Sequence, residues 1–176
     1  MGAKWRNFLR SISLPAGAAL VGLVFVTPAQ AVLNTVIWCG TSGDNWGNTG
    51  DWCNNVGTHL NAIPGNGDNA TFTSVSPGTN SICNIDTSYT VGAISIQGNF
   101  SNLISFSNPN SSMTVLTSFT NASGNANGVF QTSNLGSLRV LGTLFISGGK
   151  VVLTGGAAGT GPYALEVDGD LNKSGG

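Results

Sequence analysis

The sequence contains few charged residues. Asp, Glu, Lys and Arg make up 7% of its 176 residues. Lys4, Arg6 and Arg10 supply half of the six basic residues, whereas all seven acidic residues follow position 31. Residues 32–176 therefore carry three basic and seven acidic side chains, a formal charge of −4. Because no basic stripe is left that could follow a phosphate backbone, we predict that the protein does not bind nucleic acid.

Helical periodicity is also missing after position 31. No stretch of ten or more residues repeats apolar side chains at helical spacing. Gly accounts for 26 residues, and Ser, Thr and Asn are abundant. Low charge is unlike most disordered segments, and the absence of a strict Gly-x-y period excludes collagen. Gly and Asn adopt positive φ angles at little cost, so the composition favours a repetitive β-structure with tight turns.

Residues that carry chemistry are equally scarce. The chain has one His, and a Ser-His-Asp triad would have to use this His59, which no G-x-S-x-G motif accompanies. Asp168 and Asp170 resemble the carboxylate pair of a glycosidase, but they flank Gly169 and are expected at a solvent-facing corner. We therefore predict no catalytic residues and no enzymatic activity.

The longest apolar run, residues 14–26, is too short to span a bilayer, which takes ~20 residues. A basic segment, MGAKWRNFLR, precedes it, and an A-x-A sequence, Ala29-Gln30-Ala31, follows it. This arrangement is typical of a secretory signal peptide. We predict that residues 1–31 are removed near Ala31 and that the mature chain is secreted or lies at the cell surface, with no stable membrane span.

A repeated pattern occupies the second half of the chain. Residues 138–149 align without a gap with residues 165–176, 27 positions later, and residues 113–119 form a copy 25 positions earlier. Residues 94–100 are a weaker fourth copy, 19 positions before residue 113. The shared form is apolar-x-Val/Ile-x-Gly/Thr-x-Leu/Phe, usually closed by Ser-Gly.

The spacing of apolar residues in this repeat is that of a strand crossing a Gly corner. One such unit cannot bury its apolar side alone, whereas stacked copies would form a continuous apolar column. We therefore predict an all-β fold, a β-solenoid over residues 81–176 and specifically a right-handed parallel β-helix. The alternative is an antiparallel β-sandwich, because sandwich strands recur every ~8–12 residues. The predicted strands are residues 35–38, 70–73, 82–85, 91–97, 103–106, 113–119, 128–131, 137–140, 143–146, 150–154 and 164–167.

Residues 32–80 have a different composition, with three of the four Trp, two of the three Cys and many Gly, Asn and Asp turns. The first layer of a solenoid would otherwise expose its backbone groups and apolar face. We predict that this segment is an irregular N-terminal cap. Its expected structural residues are Trp38, Trp46, Trp52, Asp68 and Phe72.

Three Cys permit one disulfide and one free thiol, and export would permit the bond to form. Cys39–Cys53 would staple the loop-rich segment, whereas Cys53–Cys83 would join the cap to the repeats. The first pairing is slightly favoured, and both stay open. Cys83 lies beside Ile82 and is predicted to face outward, toward a partner in the cap.

Calcium is the one ion that the sequence suggests. Asp44, Asp51 and Asp68 lie in loops rich in Gly and Asn, and carboxylate and carbonyl oxygens suit Ca²⁺. No EF-hand or nonapeptide Ca²⁺ spacing is present. The alternative is that these Asp side chains cap turns. No other cofactor is predicted.

A series of short motifs gives the N-terminal segment a family resemblance. The motifs are Trp38-x-Gly40, Asp44-x-Trp46, Asp51-Trp52 and Pro64-Gly65-x-Gly67-Asp68-x-Ala70-x-Phe72. They resemble the cap that leads into the first rungs of bacterial secreted parallel β-helix surface proteins, such as autotransporter passengers and filamentous adhesins. The three Cys depart from that pattern, and a C-terminal anchor is not expected within residues 32–176.

The resemblance implies a non-enzymatic, exported structural or adhesive protein, whose β-solenoid is a scaffold or stalk and whose partner is a host surface or a polysaccharide. Two alternatives are a carbohydrate-binding or carbohydrate-degrading β-helix module and a self-associating subunit of an extracellular fibre. The chain ends with a repeat at Gly176. A solenoid ending there would expose its apolar column, so we expect further chain or another subunit to cover it.

Overall fold

The computed structural model describes residues 33–40, 43–73, 82–98, 100–123, 129–132, 136–153 and 165–174. The predicted signal peptide lies outside these residues. Within them the chain forms fourteen strands and one short 3₁₀ turn, which confirms the all-β class. No helix in this part of the chain has the length and apolarity to cross a membrane.

The strands are short, and most of them alternate buried with less buried residues. They are β1 (Asn34–Trp38), β2 (Asp44–Asn45), β3 (Trp52–Cys53), β4 (Asp68–Phe72), β5 (Cys83–Ile85), β6 (Ser88–Ile96), β7 (Leu103–Phe106), β8 (Ser112–Asn121), β9 (Val129–Thr132), β10 (Ser137–Val140), β11 (Thr143–Ile146), β12 (Lys150–Leu153), β13 (Leu165–Val167) and β14 (Leu171–Lys173). The 3₁₀ turn spans Thr49–Asp51.

The sequence predicted β7, β10 and β11 to the residue and eight further strands within a few residues of their ends. It missed β2, β3 and β14, which have two or three residues each. Alternation with a period of two is not detectable over so few positions. These three strands therefore exist through pairing with distant segments rather than through a local pattern.

The strands form two sheets. The first has nine strands in the order β13-β10-β8-β6-β4-β1-β3, with β11 paired to β8 and β14 paired to β11. The second has five strands in the order β12-β9-β7-β5-β2. From β4 onward the chain visits the two sheets in turn, and its neighbouring strands are parallel. The antiparallel sandwich is therefore wrong; among the named strands, β1 and β3 form the antiparallel pair.

The strand register confirms three of the four sequence repeats as neighbours in the first sheet. Leu138 pairs with Leu165 and with Met113, which reproduces the predicted alignment of these copies. The predicted fourth copy is wrong, because Tyr89 rather than Ile94 pairs with Met113. Ile94 instead pairs with Phe119, near the end of the motif. The reason is that this copy begins earlier, at Tyr89, so its corner is Gly92, where the register shifts between residues 91 and 93, and not Gly98.

Aligned apolar residues from both sheets form one core. The residues of one column in the first sheet, Ile94, Phe119 and Leu144, have no exposed surface. Cys83, Ile104 and Phe130 align in the same way in the second sheet and are also fully buried. Both columns belong to a single hydrophobic cluster. Each buried Leu, Ile or Phe side chain contributes about 1.5–3 kcal/mol, so these columns hold the sheets together.

Two glycines lie at corners where a Cβ atom would overlap the backbone of the preceding copy of the repeat. A Cβ atom on Gly142 would overlap the carbonyl oxygen of Thr117, and one on Gly169 would overlap the carbonyl oxygen of Gly142. Residues 117, 142 and 169 occupy the same position of the repeat. Thr117 donates a hydrogen bond from its hydroxyl to the carbonyl oxygen of Gly92 at 2.7 Å. The Gly of the later copies is therefore required by backbone contact between successive strands.

Candidate functional site

Four of the five residues predicted for the cap, the three Trp and Phe72, meet in an aromatic cluster. Trp38, Trp46 and Trp52 have no exposed surface. The Trp52 ring lies edge-on to both others, with centroids 5.0 Å from Trp38 and 4.7 Å from Trp46. The Phe72 ring lies within 6.2 Å of all three. Edge-to-face pairs of this kind contribute about 0.5–1.5 kcal/mol beyond the area that they bury.

Complete burial decides what these Trp residues can do. The indole nitrogen of Trp52 donates a hydrogen bond to the carbonyl oxygen of Trp46 at 2.8 Å. The indole nitrogens of Trp38 and Trp46 have no acceptor in the part of the chain that the structure describes. Since no indole face reaches solvent, the three Trp side chains cannot stack on a sugar. Their contribution is to the packing of the N-terminal segment.

A disulfide bond links two residues of this segment, in one of the two predicted pairings. Cys39 and Cys53 are bonded, which confirms that pairing, and the amide of Cys39 donates to the carbonyl oxygen of Asp51 at 2.7 Å. The exposed His59 forms a β-bridge with Cys53. Its Nδ1 lies against the carbonyl oxygen of Gly50 and 3.7 Å from the Cys53 sulfur. His59 thus takes part in the local fold of the 50–59 loop.

Cys83 is a free thiol inside the core, and the prediction that it faces outward is wrong. It has no exposed surface and pairs in register with Asp44 and Ile104. Burial, with smaller effects from nearby Asp side chains, raises the pKa of the Cys83 thiol, which keeps it protonated. Cys83 and Ile85 are two residues apart and share the inward face, whereas the prediction compared Cys83 with its neighbour Ile82.

The three Asp residues considered for Ca²⁺ do not gather at one site. Asp44 lies in β2, Asp51 in the 3₁₀ turn and Asp68 at the start of β4, and no group of three metal-binding side chains occurs among the described residues. Asp68 accepts hydrogen bonds from the amide of Gly65 at 2.8 Å and from the side chain of Asn34 at 3.3 Å. Through these hydrogen bonds Asp68 caps a turn. Partial burial and the nearby Asp44 raise the pKa of Asp51.

Two acidic residues near the end of the described chain, Glu166 and Asp168, form surface ion pairs with Arg139. Arg139 Nε lies 3.2 Å from Glu166, and its Nη2 lies 2.8 Å from Asp168. The Arg139 side chain is 50% exposed, so these pairs contribute at most about 1 kcal/mol. Asp168 and Asp170 are both exposed, as predicted for corner residues. Asp168 is paired with a cation, which is not the arrangement of a glycosidase acid.

A shallow cleft on the outer side of the first sheet was not predicted from the sequence. Phe145 lines this cleft, and 44% of its surface is exposed. On β11 this residue pairs with Thr120 of β8 on one side and with Asn172 of β14 on the other. Ile146, Ser147 and Ser174 complete the lining. The repeat motif gave no signal for this cleft, because its outward positions vary from copy to copy.

Phe145 differs from the other aromatic side chains of the described chain. Three Trp and five Phe residues are fully or almost fully buried. Among the residues that the structure describes, the large hydrophobic ones with substantial exposure are Val56, Leu60, Phe145 and Leu171, of which Phe145 alone is aromatic. An aromatic ring that solvent can reach is thus provided by Phe145 on β11 and not by a Trp of the N-terminal segment.

Comparison of the chain with models of protein families, with curated proteins and with solved structures found no match. The resemblance to secreted β-helix surface proteins therefore stays a prediction from sequence motifs.

Proposed function

We propose that the protein is an exported structural or adhesive protein of the bacterial surface and that its two sheets are faces of one β-solenoid, a right-handed parallel β-helix. The observation that carries this proposal is the regular register of the repeats. Successive copies align Tyr89, Met113, Leu138 and Leu165 in one parallel sheet, at nearly equal intervals along the chain. Between these strands the chain visits the second sheet, as a coil of two faces would.

A scaffold is the role that this arrangement suits physically. Each repeat contacts mainly its neighbours, so a solenoid gains length by adding copies and needs no active site. Among the described residues, no group of three His, Cys, Asp or Glu side chains could hold a metal ion. Glu166 and Asp168 form ion pairs with Arg139, and Asp68 caps a turn. These structural roles explain charged residues that could otherwise be taken for catalytic or ion-binding groups.

Two independent features support export. The N-terminal segment up to Ala31 has the basic, apolar and A-x-A parts of a signal peptide. The Cys39–Cys53 disulfide requires an oxidising compartment to persist, which the bacterial cytosol is not. A cytosolic chain of this sequence would keep three reduced thiols.

The test is to express the full chain and a variant lacking residues 2–31 in a bacterial host and to fractionate the cells. We expect the full chain to appear outside the cytosol, with a mass that corresponds to cleavage near Ala31 and with one free thiol. The truncated variant should stay in the cytosol with three free thiols. A full-length, uncleaved and fully reduced chain in the cytosol would contradict the proposal.

A further inference from the structure

We propose that the cleft around Phe145 binds one ring of a neutral carbohydrate. The cleft has a volume of about 440 Å³, within the range of small-molecule sites. It is lined by Thr120, Phe145, Ile146, Ser147, Asn172 and Ser174. Binding at this cleft depends neither on where the protein is located nor on whether the sheets form a solenoid.

The position of Phe145 is the first argument for a ligand. Its neighbour Leu144 points inward and has no exposed surface, so Leu144 supplies the core contact of this strand. Phe145 points outward in a row whose other members include Ser95, Thr120 and Asn172. Part of this aromatic ring is therefore apolar surface that the fold leaves exposed among polar side chains.

The residues beside the ring give the second argument. Neighbouring strands lie about 4.8 Å apart, so Thr120 and Asn172 place a hydroxyl and an amide group on either side of the Phe145 ring. The amide both donates and accepts hydrogen bonds, as does each hydroxyl of the lining. A pyranose ring matches this arrangement, because it has an apolar C–H face and a rim of hydroxyl groups. The C–H face would lie on the negative face of the aromatic ring.

The absence of charge selects the class of carbohydrate. None of the six lining residues is ionisable. A phosphate, sulfate or uronate group would therefore lose its hydration without gaining a cation among the six lining residues. Neutral hexose or pentose units fit this environment, and acidic polysaccharides do not.

The experiment measures binding of defined oligosaccharides to the purified chain by saturation-transfer NMR and titration calorimetry. The probes are cellohexaose, xylohexaose, mannohexaose and chitohexaose, with a galacturonate oligomer as the acidic control. The variants are Phe145→Ala, Phe145→Trp and Asn172→Ala. Thr114→Ala is the matched control, because Thr114 also points outward from β8 but does not line the cleft. Thermal unfolding of each variant shows that it is folded.

We expect at least one neutral probe to bind with a dissociation constant near or below about 1 mM and to receive saturation at its ring C–H protons. Phe145→Ala should weaken binding about tenfold, which corresponds to about 1.4 kcal/mol, and Phe145→Trp should preserve it. Asn172→Ala should weaken binding by a smaller factor, and Thr114→Ala should leave it unchanged.

Three results would overturn the proposal. One is that no neutral probe binds at a concentration of about 10 mM, which is well above the expected dissociation constant of about 1 mM. Another is binding that Phe145→Ala and Asn172→Ala leave unchanged. A third is preference for the galacturonate oligomer. If Phe145→Ala fails to fold, Phe145→Trp and Asn172→Ala still decide the matter, and none of these outcomes alters the cell-fractionation result.

Discussion

Gly142 lies where a Cβ atom would overlap the backbone of the preceding copy of the repeat. Its missing Cβ leaves room for the carbonyl oxygen of Thr117, and Gly169 accommodates Gly142 in turn. Because the obstacle is backbone rather than a flexible side chain, a larger residue at position 142 would have to push one strand away from the next. The free-energy cost would come from the distorted parallel register.

Gly142→Ala should therefore lower the free energy of unfolding by about 1–3 kcal/mol or more, the range found for overpacked sites. Gly67→Ala is the matched control, because a Cβ at Gly67 would have no neighbour within 4 Å. We expect the control to change stability by less than about 0.5 kcal/mol. Urea denaturation of both variants measures the difference, and equal effects would show that the corner tolerates a side chain.

Tyr89 is a second residue, besides Cys83, whose ionisation the fold opposes. Burial, followed by the hydrogen bond that its hydroxyl donates to Asp86 at 2.8 Å, raises the pKa of Tyr89 above its ordinary value near 10. The folded state therefore holds the Tyr89 proton more tightly than the unfolded state does. The resulting stabilisation is complete below about pH 10 and is lost as the pH rises toward the folded-state pKa.

The free energy of unfolding should accordingly fall at alkaline pH, and Tyr89→Phe should reduce that fall. At neutral pH the Phe variant should be less stable by about 1 kcal/mol, because the hydrogen bond to Asp86 is lost. Denaturation at a series of pH values, with tyrosinate absorbance as the record of ionisation, gives both quantities. An identical alkaline dependence in the two proteins would assign the effect to other groups.

At the scale of elements, the two-residue strand β3 is held by covalent and aromatic contacts rather than by its own pairing. It pairs with β1 through Ile37–Cys53 and Trp38–Trp52, and Cys53 is bonded to Cys39. Two paired residues give little stability by themselves. The disulfide and the aromatic cluster therefore decide whether this edge of the first sheet stays covered.

Replacing both Cys39 and Cys53 by Ala should lower the free energy of unfolding by about 3 kcal/mol, the chain-entropy value for a loop of about 15 residues. Adding reductant to the unmodified protein should give a similar loss, and it should not affect the double variant further. Thiol titration in denaturant should count one thiol before reduction and three after it. Finding three before reduction would contradict the Cys39–Cys53 bond.

The apolar column that contains Leu144 and Leu171 gives a second prediction at this scale. These two residues pair in register, yet Leu144 has no exposed surface and Leu171 is 61% exposed. Leu144→Ala should cost about 2–5 kcal/mol, as expected for a buried Leu. Leu171→Ala should cost less than about 1 kcal/mol, since much of its side chain already contacts water. Urea denaturation of the two single variants tests this, and a large cost at position 171 would show that further chain or a partner covers it.

At the scale of the whole molecule, the edges of the first sheet differ. One edge ends in β3, which is antiparallel to its neighbour and bridged to His59. The other ends in β13 and β14, which are parallel to theirs. A second copy could continue the parallel register at the β13 and β14 edge, but the β3 edge of the same copy offers no matching parallel template.

Head-to-tail stacking of copies into a fibre is therefore not expected from the native fold. Light scattering should give the same particle mass across a wide range of protein concentrations, in the presence and absence of salt. Reduction of the Cys39–Cys53 bond is the informative comparison, because this bond joins β3 to the residue that follows β1. Concentration-dependent fibres from the oxidised protein would favour the fibre alternative over a scaffold.

The sequence by itself determined the all-β class, most strands and the register of three repeats. Alternation of apolar residues and a Gly at the corner are local signals, and their recurrence from Met113 to Leu138 to Leu165 specifies which strands align. The sequence did not place the fourth copy correctly, because Gly92 and Gly98 are both candidates for its corner. The pairing of Tyr89 with Met113 shows that the corner is Gly92.

The tertiary structure decided the features that depend on neighbours distant in the chain. Cys83, which pairs with Asp44 and Ile104, has no exposed surface and therefore points inward. The cleft at Phe145 exists because Thr120 and Asn172, which belong to the preceding and following copies of the repeat, lie beside it. A strand pattern tells which residues share a face, but not which face meets the core. Packing between sheets settles that choice, and with it the difference between a buried thiol and an exposed aromatic ring.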